Sequence, residues 1–152
     1  KDERRRDERR RRGAPPPAVA VVQVAIERRA WVIDALGEGR RALGDLLSWM
    51  MQSDSVMVLG FSFDGDLAAL RPLCGDLEPH SLIDLQVLGR RPGEDTPSLK
   101  KVCARTIGRR LDKTQQCSDW GRRPLQREQI LYAALDAHVL LDVHDALMRG
   151  GS

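Results

Sequence analysis

The segment from residue 126 to residue 148 constrains the fold of this chain more than any other part of the sequence. Read as a helix, it carries Asp136 on a face whose other members are mostly apolar: Gln129, Ala133, Val139, Leu140, Val143 and Leu147. Tyr132 lies four residues before Asp136 and therefore shares its side of the helix. A face this apolar must pack against the rest of the domain. A carboxylate that is packed with it needs a cation, a metal ion or hydrogen-bond donors as compensation.

Two interpretations of Asp136 are open on this helix alone: a structural acid paired with a buried Arg or backbone donors, or a member of a functional site. A second acidic segment, with Asp64 and Asp66, favours the functional interpretation. It follows an apolar run at residues 55–59 that predicts a buried strand, and it precedes a helical spacing of leucines. Acids at such a turn are commonly capping residues. Two separated acidic sites, one of them beside a tyrosine, nevertheless suggest a shared cation.

The remaining pattern alternates strands with helices and predicts a layered α/β domain. Paired strands are expected at residues 19–26 and 30–34, and further strands at residues 55–59 and 82–85. Helices are expected over residues 42–51, from about residue 63, over residues 98–107 and over residues 126–148. The side chains expected to face the core from the two middle-length helices are Leu43, Leu46, Leu47, Met50, Leu99, Val102, Cys103 and either Thr106 or Ile107.

Several uncommon segments then recur in an order typical of one family. Residues 111–120, the run Arg123-Pro124-Leu125, Gln129 and residues 132–137 follow one another at compatible distances. In these segments the chain resembles the 3′–5′ exonuclease domains of the D-E-D-D superfamily, tyrosine subtype. Ribonuclease D and the Werner helicase carry such domains, and the likeness is strongest to the mutator-type exonuclease-domain proteins. The resemblance covers residues 19–147 and implies a ribonuclease-H-like mixed sheet flanked by helices.

The resemblance also implies site residues, a cofactor and a substrate. Asp66, Tyr132 and Asp136 match the second and third motifs, so Asp66 and Asp136 are expected to bind Mg²⁺ or Mn²⁺, with two ions in a complete domain, and Tyr132 to orient a water molecule. Trp120 and Arg123 are candidates for contact with the nucleic acid, which would be a single-stranded 3′ end of RNA or DNA. Asp84 is interpreted as a structural residue.

The first motif of the family, Asp-x-Glu on the central strand, has no match in this chain. Residues 1–12 hold eight Lys or Arg and four Asp or Glu instead, and a tract so biased cannot form an apolar strand. We therefore expect residues 1–17 to be a disordered tail and linker, residues 18–150 to be the exonuclease-like domain, and the chain to be a fragment that lacks its first strand. Two functions remain: an exonuclease, or an inactive nucleic-acid-binding or scaffold module of the same fold.

The basic character of the chain lies in its tail. The whole chain has a formal net charge of +3, whereas residues 13–152 carry 17 basic and 18 acidic side chains. The pI near 9.0 is therefore weak support for nucleic-acid binding by the folded body. The three cysteines show no metal-ligand spacing, and no run of residues is long and apolar enough to span a bilayer. This favours an intracellular setting, either nucleus or cytoplasm, without a membrane partner.

Overall fold

The computed structural model describes residues 18–150, and the tail predicted at residues 1–17 lies outside them. Strands and helices alternate along the chain, which confirms the predicted α/β class. In chain order the elements are β1 (Val21–Ile26), β2 (Arg29–Asp34), α1 (Arg40–Gln52), β3 (Val58–Gly60), α2 (Phe63–Cys74), β4 (Leu82–Asp84), α3 (Leu85–Leu88), α4 (Leu99–Ile107) and α5 (Arg127–Gly150). Within the described residues, no helix has the length and apolarity needed to cross a membrane.

The strands supply both kinds of pairing that a mixed sheet requires, but as two separate pairs. β1 and β2 are antiparallel, with Val24 opposite Trp31, whereas β3 and β4 are parallel, with Gly60 opposite Asp84. Across residues 18–150, no ladder of hydrogen bonds joins one pair to the other. The free edges of β1 and β3 instead line a common cavity of about 520 Å³, together with side chains of α1, α2 and α5. The cavity thus lies between the two strand pairs.

Most predicted boundaries lie within two residues of the observed ones, but the start of β3 and one core position differ more clearly. The third strand begins at Val58 rather than at Ser55, and Met57 is 60% exposed, because only the last residues of the apolar run lie beside β4. Leu46, predicted to be inward, is 42% exposed. The buried face of α1 follows an i, i+4, i+8 spacing instead, through Leu43, Leu47 and Met51.

The fourth strand is shorter than predicted because a helix begins inside the predicted range. β4 ends at Asp84, and Leu85 is the first residue of α3. The Asp84 side chain accepts a hydrogen bond from the backbone N–H of Gln86 at 2.9 Å and so caps this short helix. Leu85 is fully buried, so the helix points its first side chain into the core.

The core consists of two clusters of buried side chains. The first, here called the α5 cluster, joins α3, α4 and α5 through Leu85, Val102, Cys103, Val139 and Val143. The second, here called the α1 cluster, joins the end of β2 to α1 and α2 through Ala35, Leu43, Leu47 and Leu70. Helix α5 therefore buries the face that its periodicity predicted, and α4 buries Val102 and Cys103 as expected.

Candidate functional site

Helix α5 places Tyr132 and Asp136 at the edge of the core. Its buried residues are Gln129, Ala133, Val139 and Val143, which are members of the face predicted from the sequence. Asp136 lies on the border of that face, is half-buried, and lines the cavity between β1 and β3. Tyr132 is also half-buried, one helical turn before it. The helix therefore holds a phenol and a carboxylate in fixed relation to the cavity.

Helix α2 brings Asp66 to the same cavity from the other side. Asp66 lies in the first turn of α2, directly after the turn that follows β3, and its side chain lines the cavity with Asp136. The turn is tight: a Cβ atom at Gly60 would lie 2.6 Å from the ring of Phe63, so only glycine allows this ring to fold back over the strand end. Asp64, in the same helical turn, is exposed to solvent.

The negative charge of each of the two cavity carboxylates is disfavoured in the folded protein, as the pKa of each carboxyl indicates. Burial raises the pKa of Asp66 above its ordinary value, and the negative charges of Asp84 and Asp136 raise it further. Burial alone raises the pKa of Asp136. Asp66 nevertheless keeps more than a third of its surface exposed to solvent. Within residues 18–150 neither carboxylate forms an ion pair with a basic side chain, so no buried Arg compensates Asp136.

The donor atoms of this pair suit a hard divalent cation. Carboxylate oxygens are the ligands that Mg²⁺ prefers, and a cation between Asp66 and Asp136 would offset the repulsion and desolvation that raise their pKa values. The described part of the chain supplies only this pair, because it holds no group of three or more His, Cys, Asp or Glu side chains arranged to bind a metal. The residues present therefore fit part of a metal site, not a complete two-ion site.

The loop before α5 covers Tyr132. The rings of Trp120 and Tyr132 lie 6.0 Å apart between centroids, at an interplanar angle of 37°. Burial raises the pKa of the Tyr132 phenol, and the charges of Asp136, Asp112 and Cys117 raise it further. The phenol is therefore protonated at neutral pH and is available as a hydrogen-bond donor.

The guanidinium group of Arg123 forms hydrogen bonds with other parts of the protein. Its guanidinium donates to the Asp34 carboxylate at 2.6 Å and to the backbone oxygens of Ala20 and Trp120 at 2.8 Å. The hydrogen bond from Arg123 is the main reason that the pKa of Asp34 lies below its ordinary value. Arg123 thus joins the start of β1 and the end of β2 to the loop that carries Trp120. Contact with nucleic acid stays a prediction for Trp120 and for Arg123.

Sequence reasoning did not assign a site role to Asp84 or to Gln129. The Asp84 carboxylate accepts hydrogen bonds from the backbone amides of Ser62 and Phe63, in the turn that leads to Asp66. Gln129 is 1% exposed and joins α5 to the loop that carries Trp120. A signal for Asp84 was present: it ends an apolar run beside the strand that leads to Asp66, and carboxyl ends of parallel strands share one edge.

Comparison with known protein families gives one match over nearly the whole chain. A family model described as a 3′–5′ exonuclease matches residues 9–151. This range includes every described residue and both carboxylates of the cavity.

Individual proteins similar to this chain carry related names. The human exonuclease mut-7 homolog is 33% identical over 157 aligned residues, which cover 86% of this chain and 18% of the human protein. Ribonuclease D of Xanthomonas oryzae pv. oryzae is 36% identical over 132 residues, covering 86% of this chain and 35% of that enzyme. The chain therefore spans only about a fifth to a third of the length of these relatives.

The structure is also similar to solved structures. The crystal structure of the Aedes aegypti Nibbler EXO domain superposes with a TM-score of 0.73 at 28% sequence identity, covering 87% of this chain and 70% of that domain. The arrangement of two strand pairs around a cavity thus lies within the fold of exonuclease domains.

Proposed function

The chain belongs to the 3′–5′ exonuclease family, and we propose that it forms the part of a nuclease that hydrolyses phosphodiester bonds at the 3′ ends of RNA or DNA. The observation that carries this proposal is the convergence of Asp66 and Asp136, from two different helices, on one cavity, with Tyr132 one helical turn from Asp136. The alternative of an inactive scaffold module is less well supported, since the similar proteins are named as exonucleases and ribonucleases.

Asp66 and Asp136 are proposed to hold divalent cations, Mg²⁺ or Mn²⁺, through their carboxylate oxygens. When bound, such ions stabilise negative charge on the attacking and leaving oxygens of a phosphodiester. The raised pKa of each carboxyl reflects a folded state that disfavours two unbalanced negative charges, and ion binding removes this cost. A second ion would require carboxylates beyond those of residues 18–150.

Tyr132 is proposed to position the nucleophilic water. Its protonated phenol can donate a hydrogen bond, and it lies on the same helix face as Asp136, one turn away. The neighbouring Trp120 ring, 6.0 Å away between centroids, limits the space into which the tyrosine ring can turn. Orientation of a reacting water by a fixed group acts on the chemical step rather than on substrate binding.

The proposed substrate is a single-stranded 3′ end. Trp120, half-buried against Tyr132, is a candidate surface for stacking against the terminal base. The folded part contributes little general attraction for phosphate, because residues 13–152 have slightly more acidic than basic side chains. Local contacts and bound cations, rather than net charge, would then have to hold the strand.

The test is a degradation assay with 5′-labelled single-stranded RNA and DNA oligonucleotides in Mn²⁺ or Mg²⁺. A ladder of products shortened from the 3′ end, and its loss when EDTA is added, supports the proposal. Degradation from the 5′ end, or activity that is indifferent to the chelator, would exclude it. The assay is run on residues 1–152 and on any longer form of the protein that contains them.

The chain of residues 1–152 is itself expected to bind metal ions weakly and to show little activity. Its described residues supply two cavity carboxylates, and ordering a tail to bring others costs roughly 1–2 kcal/mol per backbone residue. The free edges of β1 and β3 are also expected to promote association between molecules. Calorimetric titration with Mn²⁺ that revealed tight binding of two ions, with strong 3′–5′ degradation, would contradict this expectation.

A further inference from the structure

The turn between β3 and α2 adopts a conformation that needs outside support. Ser62 has φ 53° and ψ 47°, and it is the one non-glycine residue with a positive φ among residues 18–150. Left-handed backbone at such a residue costs of order 1–3 kcal/mol and persists where surrounding contacts enforce it. The Ser62 side chain makes no capping hydrogen bond to α2, so the support does not come from the turn itself.

Asp84 supplies that support from the neighbouring strand. Its Oδ1 accepts a hydrogen bond from the Ser62 amide and its Oδ2 accepts one from the Phe63 amide, each at 2.9 Å. The same Oδ1 also accepts from the Gln86 amide at 2.9 Å. A carboxylate at the start of a helix is favoured by charge-assisted hydrogen bonds and by the helix dipole. One side chain thus fixes the strained turn, the first amide of α2 and the end of β4.

The position of Asp66 depends on this turn. Phe63 is the first residue of α2 and Asp66 lies three residues later, so the direction in which the helix leaves the strand decides where the Asp66 carboxylate points. Asp84 therefore influences the position of Asp66 through the backbone of this turn.

We propose that Asp84 is a positioning residue that holds Asp66 opposite Asp136 and strengthens the binding of a divalent cation by this pair. This inference rests on the proposed function, in which the two carboxylates bind the cation. Side chains that hold the groups around a metal site typically contribute about 10-fold to 100-fold to metal affinity. The loss of Asp84 weakens cation binding because the turn is no longer held and Asp66 is displaced.

The experiment measures Mn²⁺ binding to the 152-residue chain by paramagnetic broadening of backbone amide signals. Gly65 and Ala137, each next to one of the carboxylates, report on the site. In Asp84→Asn the amide group of the new side chain can no longer accept from both Ser62 and Phe63, so we expect the Mn²⁺ dissociation constant to rise at least about 10-fold. Amide hydrogen exchange at Ser62 and Phe63 should accelerate in the same variant.

Two controls separate positioning from charge and from general stability. Asp64→Asn removes one negative charge from the same helical turn without touching the Ser62 and Phe63 amides, and it should leave Mn²⁺ binding unchanged. Val102→Ala creates a cavity in the α5 cluster and lowers the stability of the fold, but it keeps the hydrogen bonds from the Ser62 and Phe63 amides to Asp84, so it should change Mn²⁺ binding much less than Asp84→Asn does. If Asp84→Asn does not fold, Ser62→Gly combined with Asp84→Asn replaces it, because glycine adopts a positive φ without strain.

The outcomes are distinguishable. A Mn²⁺ dissociation constant within about twofold of the wild-type value in folded Asp84→Asn, well below the effect of typical supporting residues, would overturn this inference alone. Equal weakening by Asp64→Asn would also overturn it, since charge without positioning would then suffice. A wild-type chain whose Gly65 and Ala137 signals are unaffected by Mn²⁺ would refute the proposed metal-binding role of the carboxylates, and this inference with it.

Discussion

Replacement of Gln129 by Leu is expected to destabilise the protein by about 2–3 kcal/mol, although the two side chains are similar in size. Gln129 is 1% exposed and makes three hydrogen bonds. Its Oε1 accepts from the Gln126 amide at 2.9 Å, and its Nε2 donates to Ser118 Oγ at 2.7 Å and to the Asp119 oxygen at 3.0 Å. Each bond contributes about 1 kcal/mol net, and burial of an apolar leucine offsets part of the loss.

Urea and thermal unfolding followed by circular dichroism measure this change. A loss of 2–3 kcal/mol corresponds to a fall in Tm of roughly 5–10 °C for a chain of this length. Gln116→Leu is the matched control, because Gln116 is exposed and lies in the same loop, and it should alter the free energy of unfolding by less than about 0.5 kcal/mol. A loss below about 1 kcal/mol in Gln129→Leu would show that water or a rearranged loop satisfies these groups, and would refute the reasoning.

Three further changes have defined outcomes. Asp136→Asn in an active form of the protein should abolish degradation. It should also raise the free energy of unfolding of the metal-free protein, because the raised pKa of this carboxyl marks an unfavourable charge. Near-normal turnover, or loss of the fold, would contradict this prediction. Tyr132→Phe should lower turnover by about 100-fold with little change in oligonucleotide affinity, and equal losses in both would point to substrate contact instead. Glu94 has a pKa held below its ordinary value of 4.5 by Arg105, Lys101 and the Arg91 amide, so it stabilises the fold above that pH and the contribution is lost on acidification. Unfolding midpoints measured from pH 7 to pH 3 should therefore fall less steeply in Glu94→Gln than in the wild-type chain.

The sequence predicted α5 and its buried face because the contrast between apolar and polar positions is strong over more than five turns. It predicted the wrong start for β3, since Val56 and Met57 continue the apolar run of the strand but, like Ser55, have no partner strand beside them. Pairing with β4, which is distant in sequence, decides where the strand begins. Periodicity alone could not give this boundary.

The candidate site also contains features that local sequence predicts and features that depend on contacts between distant residues. The proximity of Tyr132 and Asp136 follows from helical spacing, and the turn containing Asp66 follows from a strand-to-helix transition. The role of Asp84 depends on hydrogen bonds to amides 21 and 22 residues earlier in the chain. The engagement of Arg123 by Asp34 joins residues 89 positions apart. Local patterns carry no information about such contacts.

The two carboxylates of the site belong to helices that pack into different clusters of the core. Asp66 belongs to α2, which packs into the α1 cluster through Leu70, whereas Asp136 belongs to α5, which packs into the α5 cluster through Val139 and Val143. Cooperative units of this size often open separately in native proteins. Any such opening would pull the two carboxylates apart, so a cation held by both, as proposed above, would oppose it. Its binding should slow amide exchange in both clusters at once, and mass action would make that protection depend on cation concentration.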